Sequence, residues 1–426
     1  MHSNPDHQEA RAEGLHAAAG QAEVAGAERT APGDRVRQGP LANVTVIEMA
    51  GLGPAPFAGM MLADMGARVI RVDRPRPGGP SGGMAALTAR HSDVLARGRE
   101  SIVIDLKQPG AQNVVFRLVE RADALIEGYR PGVMESLGLG PEPCLNRNPA
   151  LVYGRVTGWG QTGPLAHAAG HDINYTALSG VLHATGRPGQ PPVPTPGFAG
   201  DFGGGGMLLA FGLVCAILEA RSSGRGQVVD ASICEGSALL AALIYGWRSA
   251  GLWNLHAGTN NGDGGAHFYG VYQCADGRYI SIGSMEPKFY QLLREKCGLD
   301  DPAFDAQWDP QQWPSLKEKL AAVFRQRTRD AWCELLEGTD VCFAPVLDLD
   351  EAPRHPHNRA RGSFATVNGI TQPAPAPRFT RTPAGPCQPV AVEGAATLAV
   401  LHDAGFEADE IRNLLARGIV QQAEDG

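Results

Sequence analysis

The amino-acid sequence predicts an α/β fold in which a large domain built on a parallel sheet is joined to a smaller α+β domain. The first observation is length, because 426 residues exceed what one hydrophobic core usually supports. The second is the alternation of short β-branched runs with helical stretches over 44–156, which is typical of a parallel sheet covered by helices. The third is a change of pattern at 259–267, where a loop and then a hairpin replace the alternation.

The large domain begins with a strand–helix–strand unit, and the alternation continues until a long apolar helix. Strands are predicted at 44–50, 67–73, 102–105, 124–127 and 151–156, and helices at 57–66, 110–121 and 206–220. The turn signal SSGRG ends the last helix, and QVVDAS at 227–232 is either a further strand or the entry to a helix. The sheet is therefore expected to have about five or six strands.

The smaller domain begins with two strand-like runs, FYGVYQC and RYISIGS, on either side of the turn Ala275-Asp276-Gly277. Helices are predicted at 287–296, 313–325 and 329–337, and the last twenty patterned residues, 401–420, form one further helix. The predicted division is a flexible leader at 1–40, a large ligand-binding domain at 41–235, a linker at 236–266, a small domain at 267–355, a linker at 356–390 and a C-terminal segment at 391–426 that returns to the large domain.

Composition excludes several classes of protein. The formal net charge of -8 argues against nucleic-acid partners, which require a basic surface. The longest apolar run, at 207–220, is shorter than the roughly 18 residues that span a bilayer. The eight cysteines have no metal-binding spacing. We therefore expect no membrane span, no metal and, in the absence of a signal peptide or peroxisomal address, a cytoplasmic location.

Two features suggest that the large domain binds a phosphate-bearing ligand. Gly51 and Gly53 lie between a strand and a helix with Asp73 about 20 residues further on, although Pro56 replaces the third glycine of a dinucleotide fingerprint. A strand–turn–helix connection without a ligand is the alternative. The following segment is rich in cations: Arg71, Arg74, Arg76, Arg90, Arg97, Arg99 and Lys107. Such a cluster suits phosphates, and a solvated charged surface is the other interpretation.

Three titratable residues lie where helices begin and are candidates for proton chemistry. His171 precedes a predicted helix, and histidine is the side chain best suited to act as a base near neutrality. Asp201 precedes Gly203–Gly206, which allow close approach of a ligand to the backbone. Glu286 precedes a helix and is able to hold an imidazole across a cleft. A loop histidine and two helix caps are the alternatives.

Several separated motifs, in order, resemble the α-methylacyl-CoA racemase branch of the family III CoA-transferases. They are EGYRPGVMESLGLGP, GHDINYTALSG, GDFGGGGMLLAFG, GRGQVVDASICEG, DGGA and SMEPKFY. The resemblance implies a Rossmann-like large domain, two interlocked subunits, and catalytic roles for His171, Asp201 and Glu286. It also implies CoA or acyl-thioester contacts at Arg74, Ile104, Asp105, Leu106, Lys107, Arg130, Gly170, Asp172, Ile173, Asn174 and Tyr175.

The activity that the resemblance implies is proton exchange at carbon 2 of a 2-methylacyl-CoA, with no cofactor beyond the CoA of the substrate. The rivals are a CoA-transferase that uses Asp201 as nucleophile, a nicotinamide oxidoreductase and a non-catalytic CoA-binding protein. Transferases of the family generally lack the histidine of GHDINY and the glutamate of MEP, so both residues favour proton transfer. His267 and Asn261-Gly262 depart from the family pattern, in a loop that faces the active-site cleft in the family, and bear on the choice of acyl chain.

Overall fold

The computed structural model describes residues 37–75 and 93–423. Most of the predicted leader, residues 1–36, and two members of the cationic segment, Arg76 and Arg90, lie outside the described residues. The remaining candidate residues of the site all fall within them.

The described strands form one large sheet, one three-stranded sheet and one hairpin. The strands are β1 (Thr45–Met49), β2 (Arg68–Asp73), β3 (Arg99–Ile104), β4 (Ala124–Glu127), β5 (Val152–Thr157), β6 (Val228–Ser232), β7 (Tyr269–Gln273), β8 (Tyr279–Gly283), β9 (Phe343–Val346), β10 (Phe364–Val367), β11 (Ile370–Pro373) and β12 (Val420–Gln421). The large sheet has seven strands in the order β12-β3-β2-β1-β4-β5-β6. β1–β6 pair in parallel, and β12 adds to β3 in antiparallel fashion. The predicted α/β fold class is confirmed.

Helices connect these strands and cover both faces of the large sheet. They are α1 (Pro54–Asp64), α2 (Ala111–Val119), α3 (Val133–Ser136), α4 (Pro141–Arg147), α5 (Asp172–Leu178), α6 (Val181–Ala184), a π-helix (Phe198–Met207), α7 (Leu208–Ser223), α8 (Ile233–Leu240), α9 (Ala242–Ser249), α10 (Pro287–Cys297), α11 (Trp313–Phe324), α12 (Arg329–Leu336), α13 (Pro356–Arg361), α14 (Thr397–Asp403) and α15 (Ala408–Ala416). Short 3₁₀ turns lie at Val94–Ala96, Pro302–Asp305 and Ala352–Arg354. Helices α8 and α9 occupy part of the predicted linker at 236–266.

Alternate residues of each central strand enter two separate cores, as the pleat requires. In β1, Ile47 packs with α2 and α14 on one face, whereas Val46 packs with α1 and α7 on the other. The smaller domain has its own core around Phe268, Leu316 and Trp332, between β7-β8-β9 and α10–α12. The predicted antiparallel hairpin is present as β7 paired with β8. The carboxyl ends of β1–β6 thus lie on one edge of the sheet.

The predicted single helix at 401–420 is wrong in detail. The chain forms α14 and α15, separated by a turn at Gly405, whose φ of 79° is in the left-handed region that glycine favours. After α15 the chain enters β12, whose Val420 pairs with Ile104 of β3. An edge strand therefore completes the sheet. This strand has only two residues and directly follows a helical pattern, so the sequence predicted a helix there.

The long apolar helix begins earlier than predicted. It starts at Phe198 as a π-helix and continues as α7 to Ser223, rather than starting at residue 206. Within the described chain this 26-residue helix is the one that is long and apolar enough to cross a membrane, with a mean hydropathy of 1.8. The length prediction from 207–220 missed it because the preceding glycines are helical too. Leu209, Leu213 and Ile217 are buried beside β5 and β6, so one face of the helix packs in the core of the large sheet.

Candidate active site

The strand order creates a crevice between β1 and β4. From the carboxyl end of β1 the chain runs to one side of the sheet, and from that of β4 to the other. Ligands of open α/β sheets bind where the strand order reverses in this way. The Tyr129 hydroxyl, just after β4, donates a hydrogen bond to the Ala50 carbonyl after β1 at 3.0 Å. This contact ties the two loops that line the crevice.

His171 is positioned by the start of α5. Its backbone is extended, with φ of -134°, and it immediately precedes the helix as the N-cap. Its N–H donates to the Asn174 side-chain oxygen at 3.0 Å, and its carbonyl accepts from the Asn174 N–H at 2.8 Å. The residue is exposed. The backbone is therefore fixed while the imidazole is left accessible to a ligand.

Asp201 lies inside the first turn of the π-helix, so it is not the N-cap that the sequence offered as the alternative. Burial raises the pKa of its carboxyl to about 6, and the negative charge of Asp172 adds to the rise. The neighbouring imidazole of His171 acts in the opposite direction. The structure thus brings His171 and Asp201 together, with a carboxyl able to hold or release a proton near neutrality.

Gly203–Gly206 serve packing rather than ligand access, which corrects the interpretation from sequence. A Cβ on Gly204 would lie 2.6 Å from the Ser237 backbone nitrogen of α8. A Cβ on Gly206 would lie 2.9 Å from the Pro54 carbonyl oxygen of α1. The glycines therefore let the helix that carries Asp201 approach two neighbouring helices at backbone distance. π-helical segments are rare and are frequent at functional sites.

Tyr175, Arg130 and Gly53 surround the pair. The Tyr175 hydroxyl donates to the Gly170 carbonyl, and its ring meets Trp159 edge to face with centroids 4.7 Å apart. Burial raises the Tyr175 pKa, Asp201 raises it further, and Arg130 opposes the rise. A Cβ on Gly53 would lie 3.3 Å from Asp201 Oδ2, so this glycine leaves the carboxylate room beside the β1–α1 turn.

Other candidate residues follow the same sheet edge. Arg74 is exposed after β2, and it opposes the rise that burial causes in the Tyr129 pKa. Lys107 is exposed after β3, where the Asp105 carboxylate accepts hydrogen bonds from the Lys107 N–H and from Gln108. Ile104, in contrast, is 1% exposed and its side chain lies in the core. Leu106 packs against the same core, while Ile173 is 44% exposed on α5.

Glu286 is placed in the smaller domain and is not joined to His171. It is the exposed N-cap of α10, and its carbonyl accepts from the N–H groups of Phe289 and Tyr290 at 3.0 Å. Its negative charge contributes to the raised pKa of the Cys342 thiol, after the larger effect of burial. Over residues 37–75 and 93–423, no hydrogen bond or ion pair links its side chain to His171 or Asp201. Its catalytic role stays a prediction.

Three of the cations counted toward a phosphate site are used inside the fold. Arg99 Nε donates to the buried Glu48 carboxylate at 2.9 Å, and Arg97 forms a 2.5 Å ion pair with Asp64. Arg71 pairs with Asp73 at 3.1 Å. The Asp73 carboxylate also accepts from the Ser101 hydroxyl at 2.6 Å. Asp73 is thus engaged within the sheet, and Arg74 and Lys107 remain the exposed cations of the described segment.

His267 does not reach the crevice. It is fully buried in the core of the smaller domain, where Nε2 lies 2.7 Å from the Tyr290 hydroxyl. Burial lowers its pKa to about 4. A cavity of about 1140 Å³ lies nearby, between α6, α8, α9 and the small domain, but neither His171 nor Asp201 lines it. His267, which departs from the family pattern, is therefore a core residue whose imidazole packs inward.

The fold and the site define an α/β enzyme in which His171 and Asp201 lie near the β1–α1 turn, at the switch point of a Rossmann-type sheet. Residues 41–392 match the model of CoA-transferase family III. Mouse "Alpha-methylacyl-CoA racemase" is 44% identical over 383 residues, or 89% of this chain and 97% of the mouse protein. The human protein of the same name is 42% identical over the same shares. This chain belongs to CoA-transferase family III.

Among solved structures, a CAIB/BAIF family protein from Brucella suis has the same fold. Its TM-score is 0.74 at 24% sequence identity, and the match covers 86% of this chain and all of that chain. At this identity the likeness concerns the fold, and the chemistry is argued from the site.

Proposed function

We propose that this chain is a racemase or epimerase that interconverts the (2R) and (2S) forms of 2-methylacyl-CoA thioesters. The observation that carries the proposal is the pairing of His171 with an Asp201 whose pKa is raised to about 6. A carboxyl that holds or releases a proton near neutrality, together with an imidazole, supplies the acid and the base that a reversible transfer across one carbon requires. The names of the mouse and human relatives agree with this activity.

In this mechanism one member of the pair removes the proton from carbon 2 and the other returns a proton to the opposite face. The C–H bond breaks, its electrons form an enolate with the thioester carbonyl, and the second group donates a proton to carbon 2. Backbone N–H groups must stabilise the enolate oxygen. The glycine segment faces protein and the Asp201 N–H is already bonded to Asp172. The backbone N–H groups at the start of α5, beside His171, are therefore the better source of hydrogen bonds to the enolate oxygen.

CoA would lie along the edge formed by the ends of β2, β3 and β4, where Arg74, Lys107 and Arg130 follow the strands. Arginine forks and lysine point charges suit its pyrophosphate and ribose phosphate.

Arg74→Ala is therefore expected to raise KM for CoA esters by more than it lowers kcat, because a phosphate contact far from carbon 2 supplies uniform binding. Steady-state kinetics measure the split, with exposed Arg225→Ala as control. A fall in kcat at unchanged KM would remove Arg74 from the CoA site.

The wild-type enzyme should place deuterium at carbon 2 of both enantiomers in heavy water. We expect this after chelation and desalting, and without an acceptor acid, because proton transfer by His171 and Asp201 uses neither metal nor nicotinamide. Mass spectrometry of the recovered thioester measures the label. A CoA-transferase instead would require a carboxylate acceptor, leave carbon 2 protonated and form an Asp201 acyl anhydride that hydroxylamine traps. That trapped adduct would overturn the proposal.

A homodimer with interlocked subunits is part of the proposal. The end of the π-helix and α7 expose an apolar stripe, with Met207, Phe211, Val214 and Leu218 between 39% and 72% accessible. A contiguous stripe of this kind usually marks an interface. The interlocked arrangement also gives Glu286 of the smaller domain a route to the His171 imidazole of a second copy.

Leu218→Asp is accordingly expected to shift sedimentation from dimer towards monomer and to lower activity, because it places a charge in an apolar interface. Leu349→Asp is the matched control, since Leu349 is 93% exposed elsewhere on the chain. A wild-type chain that sediments as a fully active monomer would contradict the dimer.

The cytoplasmic location stays a prediction.

A further inference from the structure

Asp172 connects the two helices that carry the pair. It is the first residue of α5, directly after His171. Its Oδ1 accepts a hydrogen bond from the Asp201 backbone N–H at 2.9 Å. That N–H belongs to the first turn of the π-helix, where the helix itself supplies no acceptor. A single side chain thus caps the helix of Asp201 while its own backbone adjoins His171.

Gly200 makes this cap possible. A Cβ on Gly200 would lie 2.0 Å from Asp172 Oδ1, a distance that no side chain permits. The backbone of Asp172 is held as well, because its carbonyl accepts from the Thr176 hydroxyl at 3.0 Å. Both helices therefore contribute to the contact: Gly200 leaves room for the Asp172 carboxylate, and the Thr176 hydroxyl fixes the first turn of α5.

We propose that Asp172 is a positioning residue for Asp201: its carboxylate fixes the Asp201 backbone through the hydrogen bond between the two helices, and its negative charge acts on the proton that the Asp201 carboxyl exchanges. The inference rests on the proposed racemase function and deepens it. The resemblance assigned Asp172 to substrate binding, whereas its carboxylate here faces the catalytic helix.

The charges around Asp201 support this role. From α5 it faces Asp172, which raises its pKa, His171, which lowers it, and Tyr175, whose own pKa Asp201 raises. The β1–α1 turn presents the uncharged Gly53. From α8, Gly236 and Ser237 lie against the glycines that follow, and neither carries a charge. Arg130 acts on Tyr175. Asp172 is thus the one charged neighbour in this described set that favours the protonated form of Asp201.

Asp172→Asn separates the charge from the hydrogen bond, because asparagine keeps an oxygen that accepts the Asp201 N–H. Loss of the charge removes a cause of the raised pKa, so both members of the pair become protonated only at lower pH. The acidic limb of the kcat/KM profile, which reports the pair as a unit, should move down by about 1 pH unit. The limb is measured by carbon 2 exchange in buffered heavy water.

Asp172→Ala removes the acceptor as well. We expect the same shift of the limb and a plateau kcat about 10–100-fold below that of the asparagine variant, because small displacements of a reacting group are costly. Gly200→Ala should give the same loss of kcat by displacing the Asp172 carboxylate. Glu235→Gln is the matched control: it removes one exposed negative charge from α8, and the limb should stay in place.

The outcomes are distinct. Absence of carbon 2 exchange in wild type would contradict the racemase function itself. Normal wild-type exchange with an unmoved acidic limb in Asp172→Asn would overturn only the role of Asp172. Raised KM with unchanged kcat and limb in both Asp172 variants would return Asp172 to substrate binding. If Asp172→Ala or Gly200→Ala fails to fold, the asparagine variant still decides the question.

Discussion

Replacing His171 or Asp201 by alanine is expected to lower kcat/KM for racemisation by about 10²–10⁴-fold in both directions. In the proposed mechanism each turnover uses both groups, one as base and one as acid, so neither direction survives the loss of one. Deuterium wash-in should behave differently, because a single base is enough to exchange the proton that faces it. Each variant should keep residual exchange in one enantiomer, and the two variants should keep it in opposite enantiomers.

His167→Ala is the control, since His167 is exposed and lies four residues before His171. We expect wild-type rates and wild-type wash-in from it. Chiral separation after short incubations gives the label in each enantiomer, and circular dichroism checks the fold of each variant. Residual exchange in the same enantiomer for both alanine variants would show that His171 and Asp201 do not address opposite faces of the substrate.

The parallel sheet was predictable because its strands are short β-branched runs buried on both faces. The predicted strand at 124–127 coincides with β4, and 151–156 differs from β5 by one residue at each end. Burial on both faces makes such runs almost uniformly apolar, which leaves a strong local signal. The order of the strands, and with it the crevice between β1 and β4, depends on pairings far apart in sequence. No local pattern states it.

The start of the Asp201 helix was missed for a physical reason. Each glycine costs a helix roughly 0.5–1 kcal/mol relative to alanine, so GDFGGGG reads as a loop before α7. Packing overrides this local preference, because Gly204 and Gly206 bring the helix against α8 and α1. The interpretation of Arg97 and Arg99 as part of a phosphate site was wrong for a similar reason. They form ion pairs with Asp64 and Glu48, and only folding brings these partners near.

His171 and Asp201 were found as titratable residues at predicted helix starts and by a resemblance over separated motifs, and the structure brings them near enough for the charge of His171 to act on the pKa of Asp201. The contact between Asp172 and Asp201 was not predictable, because it joins two helices through residues that lie 29 positions apart in sequence. Tyr129 was likewise missed, although it lies in the motif EGYRPG. A tyrosine after a strand carries no signal until the Ala50 carbonyl is opposite it.

Gly236→Ala should be strongly damaging, because this glycine lies against the helix that carries Asp201. A Cβ at this position would lie 1.9 Å from the Gly204 carbonyl oxygen and 2.6 Å from its carbonyl carbon. Both are backbone atoms, so no rotamer change relieves the clash, and the two helices must separate. Overpacking of this kind costs about 1–3 kcal/mol, occasionally more. The free energy of unfolding, from denaturant titration, should fall by at least that amount.

Activity should fall further than stability explains, because the displaced segment carries Asp201. We expect kcat to drop by about 100-fold for a shift of roughly 1 Å, measured on the fraction that remains folded. Gly246→Ala in α9 is the matched control: it makes the same change within a helix, and its Cβ meets nothing within 4 Å. Alanine there should stabilise the chain by about 0.5–1 kcal/mol with kcat unchanged. Equal behaviour of the two variants would mean that the contact between α8 and the glycine segment does not set the position of Asp201.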